Sequence, residues 1–246
     1  MTSVILAISA FIAFIISTIA GGGGALILVP ITSFLLGAQA VAPVVSLGTM
    51  ISRPVRLAIF WDEIEWDVVK YYLPGGVVGA LIGSYLFANF SVEWLQIIVA
   101  LFLISTVFQY RFGEEKRSFE MHDRYFLPLG FLVSFFSALI GTTGPVLNPF
   151  YLNSGLVKGE MIGTKTANSF FVGLVKIGSY TFFGALHGKL WLYGIVIGIA
   201  ASVASYLGKQ ILGEIKEITF RRAVILIMVV SGVVMLYRQL SGGLPL

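Results

Sequence analysis

Cysteine is missing altogether, which removes disulfides, thiolate metal sites and cysteine nucleophiles. Charge is scarce too: 11% of the 246 residues are Asp, Glu, Lys or Arg, against roughly 25% in a soluble domain. Such a chain is not built to stay in water. Histidine occurs only at His122 and His187, in different loops, a poor basis for a metal site. Neither H-E-x-x-H nor G-x-S-x-G occurs, and no paired Asp falls within an apolar run, so an intramembrane enzyme finds no support and no cofactor is expected. Basic residues exceed acidic ones by only 16 to 12 and sit mostly in short loops, so the basic face that nucleic-acid binding needs is absent. The N-terminus lacks a basic n-region and a small-residue cleavage site leading into a soluble domain, so Ser3 to Ala20 is expected to be a retained span.

Apolar sequence is abundant instead, at 57% of residues. It falls into runs at 3–20, 25–36, 40–60, 68–88, 93–110, 125–140, 145–153, 160–186, 190–208 and 220–237. A crossing takes about 20 helical residues, so most runs read as spans, while 25–36 and 145–153 are too short to cross alone. Each short run follows a glycine-rich break, Gly21-Gly22-Gly23-Gly24 in one case and Gly141-Thr142-Thr143-Gly144-Pro145 in the other. Consecutive glycines weaken a helix more than close packing requires.

These breaks are related. Ser17-x-x-x-Gly21-x-x-Gly24 recurs as Ser137-x-x-x-Gly141-x-x-Gly144, Gly48-Thr49 as Gly163-Thr164, and Ser84-Tyr85-Leu86 as Ser205-Tyr206-Leu207, at separations of 120, 115 and 121. Three matches in one order indicate a duplication with small loop insertions and deletions. An odd number of passes per half inverts the second half. With the loop Arg111 to Arg124 in the cytoplasm, ten loop Lys and Arg fall inside and only Lys189 and Arg238 outside, which places both termini outside. The fold class expected is an all-α polytopic membrane protein with two inverted repeats of about five helical segments each, carrying broken or re-entrant hairpins. The first repeat spans 1–112, a cytoplasmic linker 113–124, and the second repeat 125–246. Gly75, Gly79 and Gly83, at four-residue spacing, read as a packing stripe.

Four basic residues fall within spans: Arg53, Arg56, Lys165 and Lys176. At a helix centre each costs about 2.5–3.5 kcal/mol, and no Asp or Glu lies at comparable depth to offset it. An arriving anion would. Arg53 is the best placed, past the middle of its span and before Pro54, which bends the helix. Arg56 shares its face but lies nearer the cytoplasm, where snorkelling to headgroups competes. Snorkelling competes at Lys165 as well, and Lys176 is deep with loose repeat alignment. Thr49 and Thr164 are repeat mates, Asn168 falls where Arg53 falls, and Asn148 follows the second break. Such donors can hold an oxyanion or bridge helices, the latter worth about 0.6–2 kcal/mol per contact. The breaks themselves (Gly22, Gly23, Thr143, Gly144) would aim backbone N–H groups at an anion near the midplane. The candidate substrate-binding set is therefore Arg53, Thr49, Gly22, Gly23, Thr143, Gly144, Asn148, Thr164, Lys165 and Asn168.

At these residues the sequence resembles the sulfite exporter TauE/SafE family, also called the TSUP transporters. The likeness rests on Gly21 to Gly24 followed by Pro30, on Gly141 to Pro149, and on Gly48-Thr49 and Gly163-Thr164-Lys165 opening the next long spans. It extends over essentially the whole chain and implies a transporter of sulfite, organosulfonates or related organic anions in a bacterial-type cell membrane. Thr142-Thr143 stands where the first break has Gly22-Gly23, so the halves cannot contribute identically. The partners expected are a small anion and the lipid bilayer, with a homodimer left open. A monovalent anion leaving a negative-inside cell gains about 2.3 kcal/mol per 100 mV, so a uniporter would suffice for export. An anion channel and a scaffolding subunit are the alternatives. Scaffolding has no need of duplicated helix breaks.

Overall fold

The structure, a computed structural model, describes residues 1–19, 24–89 and 121–214, together with scattered positions between 216 and 237. The runs 93–110 and 220–237, the linker 113–120 and Gly21, Gly22 and Gly23 lie outside the described residues or largely so. Helices dominate, and no strand occurs among the described residues. They are α1 (Thr2–Ile19), α2 (Gly24–Leu36), α3 (Ala38–Ile59), α4 (Trp66–Asn89), α5 (Phe126–Ile140), α6 (Asn148–Ser154), α7 (Lys158–Phe182) and α8 (Lys189–Glu214). Short 3₁₀ turns at Trp61–Glu63, Asp123–Tyr125 and Gly144–Leu147 link them.

Each boundary has a local cause. The chain between α2 and α3 turns on Gly37 at φ +86°. Gly141 closes α5 at φ +95°, and a Cβ there would also come within 2.9 Å of the Ala42 Cα, so glycine is needed on two counts. Gly155 ends α6 at φ +101°. The run 160–186 stops early: α7 ends at Phe182 and the chain turns through Gly184 at φ +74°, a conformation that interrupts the helix before its apolar sequence runs out. At 13 and 7 residues, α2 and α6 are both short of a crossing.

Packing is close wherever glycines meet backbone. α4 lies along α5 with Gly75, Gly79 and Gly83 against the carbonyls of Leu127, Phe131 and Phe135, and Gly130 of α5 returns the contact at the Tyr72 carbonyl. α8 packs on α1 and α3, where Gly194 and Gly198 receive Leu47 and Ile51, and Gly48 receives Ile197. Beside two smaller apolar clusters, two large ones result among the described residues. One gathers Tyr72, Phe126, Tyr151 and Met161 on the α4–α7 side; the other gathers Leu6, Phe14, Leu28, Val44 and Ile197 on the α1–α3 and α8 side. α7 contacts both α3 and α4 and so runs between them.

The outer surface is apolar as well. Ile8, Ile12, Phe34, Val78, Leu132, Leu174, Ile199 and Val203 are all exposed, whereas soluble proteins rarely expose contiguous apolar patches beyond a few hundred Å². Trp66–Asn89 and Lys189–Leu212 are long and apolar enough to cross a bilayer.

The α4–α5 seam gives a direct test of packing. A Cβ at Gly79 would overlap the Phe131 carbonyl oxygen, which belongs to backbone and cannot rotate away. Overpacking of this kind costs about 1–3 kcal/mol. Gly79→Ala is expected to lower the melting temperature of the detergent-solubilised protein by several degrees; an unchanged melt would mean the helices separate without cost.

Candidate functional site

Polar residues recur at helical spacing on α3: Thr49, Ser52, Arg53 and Arg56 share one face. On α7, Lys165, Ser169, Gly173 and Lys176 do the same. These two faces turn toward a common cavity of about 120 Å³. A single water needs about 10–15 Å³ on this measure, so a small hydrated anion fits. The last turns of α5 add Ser134 and Ser137, and the break after α5 adds Gly141, Thr142 and Thr143. The first turn of α2 adds Gly24 and Ala25, so the residues following the first glycine break also reach this space.

All four basic residues read as lying within spans line the cavity, and no Asp or Glu does so among the described residues. The partners of Arg53, Arg56 and Lys176 are neutral. Arg53 donates one long bond, 3.5 Å from Nη2 to the Thr49 hydroxyl. Arg56 donates from Nε to Ser205 Oγ at 2.9 Å and from Nη2 to Thr18 Oγ1 at 2.5 Å, with the Phe14 ring 5.6 Å away. Both hydroxyls have committed their own protons, Thr18 to the Phe14 carbonyl and Ser205 to the Ala201 carbonyl, so they accept from Arg56 without competition. Arg56 thereby ties α1 and α8 to α3.

Lys176 is fully occupied. Its ammonium donates to the Ser137 carbonyl (2.9 Å), Ser137 Oγ (3.1 Å) and the Gly141 carbonyl (3.2 Å). These carbonyls belong to the end of α5, where the Ser137 carbonyl also accepts from the Gly141 N–H at 3.0 Å and the helix dipole is at its negative end. Ser46 Oγ donates to the same Gly141 carbonyl at 3.3 Å. Lys176 therefore holds the broken end of α5 in place. Lys165 donates to Asn148 Oδ1 at 2.6 Å, joining α7 to the start of α6.

The residues singled out from sequence separate into groups. Arg53, Thr49, Thr143 and Lys165 line the cavity. The Thr143 hydroxyl donates to the Val133 carbonyl at 3.2 Å, which fixes the break against α5. Gly144 begins the 3₁₀ turn that leads into α6. Asn148, Thr164 and Asn168 are buried but are not cavity-lining residues. Thr164 Oγ1 accepts from the Glu65 backbone N–H at 2.9 Å, at the entry to α4. Nearby, the Glu63 carboxylate pairs with Lys209, whose ammonium sits 4.0 Å from the centre of the Phe60 ring. Asn168 donates to the Tyr151 hydroxyl at 2.8 Å. Asn148 Nδ2 and Asn168 Oδ1 have no partner among the described residues. Gly22 and Gly23 lie outside the described residues.

Sequence reasoning passed over Ser52, Tyr72, Ser134, Thr166 and Ser169, which also line the cavity. A signal existed for the serines, since 52 follows 49 and 169 follows 165 at helical spacing. Tyr72 gave none: a tyrosine at the fifth position of an apolar run reads as an interfacial anchor. Here it is buried, with its hydroxyl 3.1 Å from Ser134 Oγ.

A bundle with an apolar exterior whose basic and hydroxyl groups turn inward on a cavity reverses the polarity of a soluble protein, as a membrane transporter does. The chain belongs to the sulfite exporter TauE/SafE family, whose model matches residues 6–235. It is also 25% identical over 222 residues to "Probable membrane transporter protein YtnM" of Bacillus subtilis (strain 168), covering 82% of this chain and 74% of that protein. No solved structure matches it. The chain is thus a membrane transporter of that family, and the family is not one of enzymes.

Proposed function

We propose that this chain carries a small anion, of the sulfite, organosulfonate or related organic-anion type, across the cell membrane by alternating access. The observation that carries the reading is Arg53. Its guanidinium has five N–H donors, lines the cavity, and makes one 3.5 Å bond to a neutral hydroxyl. Donors held in place without a counter-charge suit a ligand that supplies the negative charge. Thr49, Lys165 and the break at Thr142 and Thr143 surround the same space, and the N-terminal turn of α2 brings the positive end of a helix dipole to it. The name of the family points to sulfite.

The carrier works, on this reading, as two inverted halves, 1–112 and 125–246, joined by a cytoplasmic linker at 113–124, with several crossings of the membrane. Reciprocal packing supports it. α1, the first helix of the first half, packs on α8, the fourth of the second; α5, the first helix of the second half, packs on α4, the fourth of the first. A twofold axis in the membrane plane generates such exchanged pairs, and rocking one set against the other would open the cavity to alternate sides.

Gly173 supplies a test of Arg53 placement that leaves Arg53 itself intact. A methyl group there would overlap Arg53 Nη1. Gly173→Ala is expected to displace the guanidinium and raise the anion KM about ten-fold or more, while the melting temperature changes little. Unaltered KM would put the bound anion away from Arg53.

Binding itself can be measured on purified protein at constant ionic strength. A ligand of the native state raises the melting temperature in proportion to log concentration. Sulfite, thiosulfate, a sulfonate and a carboxylate form the panel, and at least one should stabilise. A flat response to all four would contradict the anion reading.

A further inference from the structure

The cavity holds positive charge that its described lining does not neutralise. Arg53, Arg56 and Lys176 line it with hydroxyls and carbonyls as partners, and hydrogen bonds to neutral groups leave the formal charge in place. Lys165 lines it too and donates to the Asn148 amide oxygen, but the count of unneutralised charge rests on the other three. Both side-chain ion pairs among the described residues, Lys70 with Asp67 and Lys209 with Glu63, lie outside the lining. Even if both lysines lost their protons, the two guanidiniums would keep theirs, because arginine is not deprotonated in proteins.

We infer that the transporter is an obligate anion exchanger: the cavity crosses between its inward-open and outward-open forms only while an anion occupies it. This rests on the alternating-access reading above and extends it to the return step. Between its two open forms an alternating-access site is closed from both sides and loses most of its water. Desolvation then penalises every cation, and mutual repulsion among cations grows as the effective dielectric constant falls. A bound anion offsets both effects. An empty cavity has only the α5 carbonyls at Lys176 and the neutral hydroxyls to offset them, since no carboxylate is available among the described lining residues. In a proton-coupled or uniport carrier the empty return is often eased by an internal ion pair that forms when substrate leaves; Lys176 cannot provide one here, because its three bonds go to Ser137 and Gly141. The empty carrier should wait, open, until a second anion enters from the same side. The simple uniporter that the sequence allows lacks a means of returning.

The experiment uses the full chain in proteoliposomes. Uptake of ³⁵S-labelled sulfite (under anaerobic conditions), sulfate and sulfoacetate is followed into two vesicle populations. One contains the same unlabelled anion. The other contains only a bulky impermeant anion, with a valinomycin potassium clamp setting the interior positive to favour net entry. For at least one probe, entry into the anion-loaded vesicles should be at least about ten-fold faster. Equal initial rates in both populations would overturn the exchanger while leaving the anion carrier standing. Failure of every probe to enter either population would overturn the carrier reading, and the exchanger with it.

Discussion

Replacing Arg53 by alanine is expected to reduce the initial rate of anion uptake into proteoliposomes by at least 100-fold while the protein stays folded and inserted. Hydrogen bonds to charged groups contribute about 1.5–3 kcal/mol each. A guanidinium that grips an oxyanion with two of them therefore supplies about 3–6 kcal/mol, and each 1.4 kcal/mol is a factor of ten. Arg53→Lys keeps the charge but loses the planar fork, so an intermediate rate is expected. The effect on stability should have the opposite sign from most deletions in a bundle. Arg53 forms one long bond, to Thr49, and faces no acid in the described lining. Removing it relieves an intramembrane charge of its cost, so the melting temperature should hold or rise. A variant that transports at the normal rate would place the anion elsewhere.

Lys176→Met is expected to give the reverse pattern, a large loss of stability. Methionine matches the length of lysine but donates nothing, so the Ser137 hydroxyl loses its Lys176 bond, the Ser137 carbonyl keeps only the 3.0 Å bond from the Gly141 N–H, and the Gly141 carbonyl keeps only the 3.3 Å bond from Ser46. Each of the three bonds from a charged donor contributes about 1.5–3 kcal/mol, and removing the intramembrane cation recovers about 2.5–3.5 kcal/mol. A net loss near 3 kcal/mol, at about 2–4 °C per kcal/mol for a chain of this size, lowers the melting temperature by roughly 10 °C. Fluorescence-detected melting in detergent reads this directly. If Lys176→Met melts with the parent protein, Lys176 does not secure the end of α5. The two variants together separate a cation held for a ligand from a cation held for the fold.

The sequence makes the helices legible because their ends are chemical events. Gly37, Gly141 and Gly155 adopt positive φ where runs were expected to stop. The early end of α7 was not legible, since Phe182 and Phe183 look like continued span and the turn depends on Gly184. Among the site residues, the cations stood out because each is costly in an apolar run. Their partners did not. Lys176 meets Ser137 across 39 positions of chain, a contact that only the packing of α7 on α5 creates. Thr164 and Asn168 shared the repeat register of Thr49 and Arg53, yet they serve the entry of α4 and the Tyr151 hydroxyl. α7 is the reason. It buries residues all round, with Thr164 and Asn168 on one side, Thr166 on another and Lys176 on a third, so it lacks the one-sided pattern from which a cavity-facing surface can be read.

On the proposed reading, a small oxyanion sits on Arg53, in the cavity between α3 and α7. Selenite resembles sulfite in shape and charge, and selenium scatters X-rays anomalously. A crystal of the protein grown with selenite should show an anomalous peak within hydrogen-bonding distance of the Arg53 guanidinium, lost in Arg53→Ala crystals grown the same way. A selenium peak elsewhere in the bundle, with none at Arg53, would contradict the account.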